Sequence, residues 1–158
     1  LRRQGVKNMQ FSKLNRTGAE NVYRTILNVE GATITTGMPV SLRPGIASCD
    51  GISAVQSNAS ADQIGFIGVA MSDIPNNEYG RIQVNGFINS VLLSNAGTSI
   101  TVTAGDLIIP GPLGFYSFNP AVNYSGAGSG LSNWRHVTAI DTATVSAAGY
   151  VRGLINVL

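Results

Sequence analysis

The sequence predicts an all-β protein: a compact β-barrel or sandwich of short antiparallel strands preceded by an extended N-terminal arm. Three observations lead there. Short runs rich in Val, Ile, Thr and aromatic residues recur along the chain, and turn chemistry interrupts them roughly every eight to twelve residues. No segment carries the 3.6-residue apolar period of an amphipathic helix. At 158 residues one domain suffices, and a chain of this size buries roughly two-thirds of its unfolded surface without staples. The lone cysteine, Cys49, excludes an internal disulfide, so packing must hold the fold.

The arm is defined by charge. Through Arg24 there are six bases (Arg2, Arg3, Lys7, Lys13, Arg16 and Arg24) against one acid, Glu20, a net +5; the remainder has four bases and seven acids, a net −3. Residues 1–24 therefore read as a basic arm and residues 25–158 as the β-domain. Up to about Asn21 no period is sustained, which predicts an extended or mobile segment. Thr17 to Glu20 matches a capping box, but the β-branched residues that follow allow a short turn at most.

The strand pattern begins at Val22 with VYRTILNV and turns at Glu30-Gly31. Gly37 and Pro39 mark a loop into a short strand, Val40 to Arg43, which Pro44-Gly45 closes. Cys49 to Gln56 gives another strand, then Ser57 to Asp62 a polar loop. The stretch Ile64 to Leu93 organises the rest. Ile64, Phe66, Ile67, Val69, Ala70 and Met71 are too continuously apolar for a half-wet strand, so this strand is expected to be buried on both faces or next to a subunit contact, and Phe87 lies beyond the turn beside Gly86. Gly65 and Gly68 leave room for a neighbouring backbone. Pro75, Asn76, Asn77 and Gly80 reverse the chain, and Gly86 within a strand pattern predicts a bulge or close approach.

Beyond it, Asn95 to Gly97 turns the chain, Ser99 to Thr103 alternates, and Ala104 to Asp106 turns it again. Leu107 to Ile109 is a short strand ended by Pro110-Gly111-Pro112, and Gly114 to Phe118 an aromatic one. Asn123 to Asn133 is expected to be an exposed loop. Arg135 to Ile140 is a strand, Asp141 to Ala148 a helical turn or loop, and Tyr150 to Leu158 the closing strand. No element repeats at a fixed period.

Groups able to do chemistry are scarce. His136 is the only histidine and there is no CxxC, so no metal site and no cofactor are expected. A set of Cys49, His136 and Asp141 lacks any local nucleophile motif. Gly126 to Gly130 lacks the Lys-Ser/Thr of a phosphate loop, and Asp73 with Glu78 flanks a turn where carboxylates are ordinarily solvated. The N-x-S/T triplets at Asn15, Asn58 and Asn123 are expected by chance in so Asn- and Ser-rich a chain. No signal-peptide pattern follows Leu1 and the apolar runs are too short for a bilayer, which predicts a soluble protein. Only 11% of residues are charged, which suits a chain packed against copies of itself or a partner.

The order of five short motifs resembles a known family. G-x-P-V at Gly37 to Val40, I-G-V-A at Ile67 to Ala70, V-x-G at Val84 to Gly86, A-G-D-L at Ala104 to Leu107, one residue shorter than the family's A-G-D-x-L, and the alanine-glycine ending with V-R-x-L at Ala147 to Leu154 follow one another in an order that resembles the small β-domain decoration, or cement, proteins of tailed-bacteriophage capsids. The likeness spans most of residues 36–158; the basic arm and the Asn123 to Asn133 loop depart from it. It implies a structural virion protein, not an enzyme: a homotrimer on the outer capsid surface that stabilises contacts between major capsid subunits. Its partners would be the major capsid protein and itself, with no nucleic acid and no membrane. The arm residues Arg2, Arg3, Lys7, Phe11, Lys13 and Arg16 would then bind the capsid. Two other readings stand beside it: a carbohydrate- or receptor-binding fibre or collar module using Tyr116, Tyr124 and Trp134, and a small hydrolase using Asp106 or His136.

Overall fold

In a computed structural model, residues 20–42, 51–57, 65–94, 99–111, 113–117 and 136–157 are described. Among them the fold is all β, without helix and so without a helix long and apolar enough to cross a membrane. The strands are β1 (Val22–Asn28), β2 (Pro39–Leu42), β3 (Ser53–Gln56), β4 (Phe66–Ala70), β5 (Tyr79–Ser94), β6 (Ile100–Val102), β7 (Leu107–Gly111), β8 (Gly114–Ser117), β9 (His136–Ala139), β10 (Ala143–Val145) and β11 (Ala148–Asn156). The arm residues, Cys49, Ile64, the Asn95 to Gly97 turn and the Asn123 to Asn133 loop lie outside the described residues.

Strand β5, sixteen residues long, is the spine. Its first half closes a five-stranded barrel, β1-β3-β2-β4-β5, because β1 returns to pair with it from Val22↔Asn85 to Leu27↔Tyr79. The second half pairs with β11 and leads through β9, β7 and β8 back to β5 by a parallel contact, Leu93↔Phe115. Two circuits thus share one strand. Most pairings are antiparallel as the sequence predicts; β1 with β3 and β5 with β8 are parallel, and β6 with β10 forms a separate two-stranded sheet.

Each circuit has its own core. Ile26, Ile34, Val40, Ala54, Ile67, Ala70, Ile74, Ile82 and Val84 fill the first, whereas Phe66, Val69, Ile88, Val91, Leu93, Phe115, Val137 and Ile155 are among those that fill the second. Strand β4 is buried throughout because it serves both. Its register against β2 slips at Ile67, from Val40↔Gly68 to Ser41↔Phe66. That bulge resets the two-residue alternation, so Phe66 and Val69 turn to one core while Ile67 and Ala70 turn to the other. Phe66 meets Phe115 edge to face at 5.7 Å between ring centroids.

Close packing on β5 fixes two glycines. A Cβ on Gly68 would lie 2.5 Å from the Gln83 carbonyl oxygen, so β4 can approach β5 only without a side chain there. Gly86 has φ +99°, and a Cβ on it would lie 2.2 Å from the Glu20 carbonyl oxygen. Here β1 slips register, passing from Tyr23↔Gln83 to Val22↔Asn85, and Glu20 and Asn21 before it lie against Gly86. Gln83, 1% exposed, supplies bonds beyond the end of β1: its Nε2 donates to the carbonyls of Asn85 and Phe87 at 3.1 and 2.8 Å.

Buried Asn28 performs a similar service at the other end of β1. Its Nδ2 donates to the Ala32 and Ile74 carbonyls while its Oδ1 accepts from the Glu30 N–H, holding the turn at Gly31 against the segment before β5. That segment and the one before β2 mirror each other across the paired Ile34 and Ile74. Met38 N–H donates to Thr35 C=O and Glu78 N–H to Pro75 C=O, with positive φ at Gly37 and Asn77. A third turn, Thr103 to Asp106 with positive φ at Gly105, launches β7 in the same manner.

Several boundaries differ from the sequence reading. Strand β3 starts at Ser53 and not at Cys49, since Gly51 takes φ +71°. Gly80 belongs to β5, where Ile74 packs into the space a Cβ would fill, and is not a turn residue. Met71 is exposed, beyond the end of β4. Strand β7 runs through Pro110 to Gly111, and Ala143 to Val145 is a strand and neither a helical turn nor a loop. Strand β1 opens at Val22, so Val22 to Arg24 belong to the β-body.

The two kinds of glycine predict different costs. Gly31→Ala, at φ +92° with open space around its Cβ position, should cost about 1 kcal/mol from left-handed strain alone. Gly86→Ala adds a collision with backbone, and we expect a loss above about 3 kcal/mol in urea unfolding.

Candidate interaction surface

The register of the second circuit places four residues in one row across four strands. Phe87 on β5 pairs with Leu154 on β11, Leu154 with Thr138 on β9, and Thr138 with Leu107 on β7. Directly paired residues share a face of the sheet, so the row is a single surface feature. The neighbouring row, Ile155, Val137 and Ile108, faces inward and is fully buried. By the alternation of strands the first row therefore faces outward. Leu154 is 47% exposed and Leu107 38%, while Phe87 and Thr138 are half-buried.

Around that row the same face continues. Ile140 N–H donates to the Arg152 carbonyl at 2.9 Å, which sets the exposed Ile140 beside Arg152. Tyr150, two residues before Arg152 and on its face, is 54% exposed, and its ring lies against Gly37. The charges in the middle cancel. Arg152 Nε donates to Asp141 Oδ2 at 2.8 Å and its Nη2 to Oδ1, a two-pronged pair further tied by the Arg152 backbone N–H. The Arg152 side chain holds the Asp141 carboxyl below the usual aspartate range, and Asp141 in turn raises the guanidinium.

A second exposed band lies on the first barrel. The Arg81 guanidinium stands 4.5 Å from the centre of the Tyr23 ring, Arg24 donates to the Gly51 carbonyl, and Tyr79 is 68% exposed. These contacts tie β1 to β5 and β3 from outside.

The residues singled out in the sequence fall into separate places. Phe66, Ile67 and Val69 are buried in the cores of the chain, and Phe87 is half-buried on the outer face. Ile64 and the arm residues Arg2, Arg3, Lys7, Phe11, Lys13 and Arg16 lie outside the described residues, as do Cys49, Tyr124 and Trp134. His136 opens β9 and Tyr116 lies on β8 opposite Ile109. Asp106 is engaged in its turn: Oδ2 accepts from the Thr103 N–H at 2.8 Å. Asp141 is held by Arg152, and Asp73 Oδ1 accepts from both the Thr36 N–H and hydroxyl. Among the described residues no three of His, Cys, Asp and Glu converge as metal ligands would.

Sequence reasoning passed over Leu154, Thr138, Leu107, Ile140 and Arg152. One signal was present: in Tyr150 to Ile155, a period of two puts Leu154 on the polar face with Arg152, opposite Val151, Gly153 and Ile155.

Both aspartates should titrate below an ordinary carboxylate. For Asp73 the Thr36 backbone N–H is the larger cause and the hydroxyl the smaller, so Thr36→Val should leave most of the depression in place, whereas Arg152→Ala should remove most of that at Asp141. Because the folded values are lowered, each carboxylate stabilises the fold above the unfolded aspartate range near about pH 4, and that contribution disappears as pH falls through the still lower folded values. Carboxyl chemical shifts followed by NMR from pH 6 downward, as an approximate range, check both effects.

No protein-family model and no curated protein matches this chain.

Proposed function

We propose that this chain is a structural capsid decoration, or cement, protein of the tailed-bacteriophage type. It binds the outer surface of a phage head as a homotrimer and stabilises contacts between major capsid subunits, without covalent chemistry of its own. The observation that carries this reading is the outer face of the β5-β11-β9-β7 sheet. Its row of Phe87, Leu154 and Leu107 is apolar, the charges beside that row neutralise each other, and it belongs to a chain whose two cores are already filled from within. A face of that kind gains by being covered.

The motif order adds support. Gly37 and the Ala104 to Asp106 stretch stand in two of the three matching turns, Gly68 is the close approach of β4 to β5, and Gly86 is the slip where β1 departs. These motifs fall on the joints of the framework, which is where a shared architecture constrains sequence most. In this reading the basic arm, leaving beside Gly86, reaches onto neighbouring capsid subunits, and several modest contacts per trimer act together through linkage.

Deletion of Leu1 to Arg16 tests the clamp. Retention on heads of the phage that carries this gene should fall at least about tenfold, about 1.4 kcal/mol, while the self-association of the β-body persists. Unchanged occupancy of arm-less protein, measured by quantitative gel analysis of purified heads, would refute the arm's role.

A further inference from the structure

We infer that the chain carries one protein-contact site twice, at Arg81 with Met71 in the first circuit and at Arg152 with Ile140 in the second, and that a partner which itself repeats engages both. The choice of partner rests on the decoration reading, in which identical capsid subunits lie side by side. The doubling does not, since it is built into the fold.

Each pairing of the first circuit recurs in the second. Strand β2 meets β3 and β4 as β7 meets β8 and β9, all antiparallel. Strand β4 meets β5 as β9 meets β11. The opening strand of each circuit, β1 or the second half of β5, pairs antiparallel with the closing strand and parallel with β3 or β8. The bridge between Ile34 and Ile74 has its counterpart in β6 and β10. Backbone hydrogen bonds then align the two copies residue by residue. Gly37 N–H donates to Ala70 C=O as Gly105 N–H does to Ala139 C=O, and Ala70 N–H donates to Met38 C=O as Ala139 N–H does to Asp106 C=O. One residue further on, Met71 N–H donates to Arg81 C=O and Ile140 N–H to Arg152 C=O.

Of the residues aligned in this way, Gly37 and Gly105, Ala70 and Ala139, and Arg81 and Arg152 keep their type. The fold accounts for the first two pairs: both glycines have positive φ and both alanines are buried. It does not account for the third. Both arginines are exposed, and each side chain has a different partner, the Tyr23 ring for Arg81 and the Asp141 carboxylate for Arg152. Among the described residues no contact common to the two copies calls for arginine there. What the copies share is the setting, an exposed guanidinium with a large apolar side chain on the hydrogen-bonded residue, Met71 or Ile140, each more than a third exposed.

Both guanidinium groups keep donors for a partner. Stacking on Tyr23 occupies a face of the Arg81 guanidinium and leaves its N–H edges, while Asp141 takes Nε and Nη2 of Arg152 and leaves Nη1. Such donors beside an apolar side chain suit a carboxylate beside an apolar contact on another protein. The two sites belong to one continuous sheet that fixes their separation, so only a partner with the same site repeated engages both at once. Linkage then makes the pair stronger than either alone without any new contact.

Retention of the full chain on heads of the phage that carries this gene, measured by quantitative gel analysis, tests the inference. Arg81→Gln and Arg152→Gln remove the charge and keep a polar side chain, Met71→Asp and Ile140→Asp spoil the apolar half, and Leu113→Glu places a charge on the exposed turn between β7 and β8, which belongs to neither site. Each single variant at the two sites should lower retention at least about threefold, and Arg81→Gln with Arg152→Gln at least about tenfold, with far-ultraviolet circular dichroism unchanged and Leu113→Glu retained like the wild type. Full retention of the double variant would overturn the sites and leave the decoration reading standing on its arm. A loss confined to one copy would overturn the doubling. Heads that retain no wild type would overturn the decoration reading, and the partner with it.

Discussion

Strand β5 is a member of two closed circuits, and its length and irregularities follow from that demand. Tyr79 to Asn85 must pair with β1 on one side and approach β4 on the other, while Asn85 to Ser94 must pair with β11 and still reach β8. A straight strand with strict alternation would present one face to one core. Register slips free it from that limit. One lies opposite Val22 and Tyr23, and another opposite Val151 to Gly153, so inward positions move from Ile82 and Val84 to Ile88 and then to Val91 and Leu93. The bulge at Ile67 does the same for β4. Two small cores are therefore built from one continuous sheet, and each is closed by a strand that the other also uses.

Closure has a second consequence. A sheet closed on itself leaves few backbone groups for a partner strand to pair with, so what the body offers to its surroundings is mainly side chains on its outer faces and not an open edge. Where β1 departs, the carbonyls of Asn85 and Phe87 would be such an opening, and the Gln83 amide fills it from within the same strand. An uncharged side chain is suited to that task because it donates two hydrogen bonds at little desolvation cost compared with a lysine.

Much of the framework was legible in the sequence, and the reasons are local. Pro75 to Asn77, Glu30-Gly31 and Ala104 to Asp106 are turns because their residues accept conformations others resist, which no distant contact needs to impose. The unbroken apolar run of β4 announced burial on both faces. Long-range geometry was not legible. Nothing near Gly80 says that Ile74 will fill the space beside it, and Ala143 to Val145 becomes a strand only because Ile100 to Val102 lies alongside. Pro110 sits within β7 where the strand pairs with Phe115 on β8, beyond its last pair with β9 at Ile108. The kinship of the three turns was hidden for a different reason: Gly37, Asn77 and Gly105 share a backbone conformation but not a residue type.

The outer face shows where pattern reading stops. Leu154 alone in a polar alternation is unremarkable, since single apolar residues are common on surfaces. Its meaning comes from register, which sets Phe87 and Thr138 on either side of it and Leu107 beyond. No spacing in the sequence encodes that row, because its members lie on four strands separated by turns and by 18 residues between Ser117 and His136. The same register explains why Arg152 and Asp141 pair: β9 ends at Ala139 opposite Gly153, Ile140 after it donates to the Arg152 carbonyl, and the next residue is the aspartate. A charge that would otherwise stand in the apolar face is thus neutralised by the turn that follows the strand beside it. The folding of one chain has in this way removed the electrostatic obstacle to covering the surface it leaves exposed.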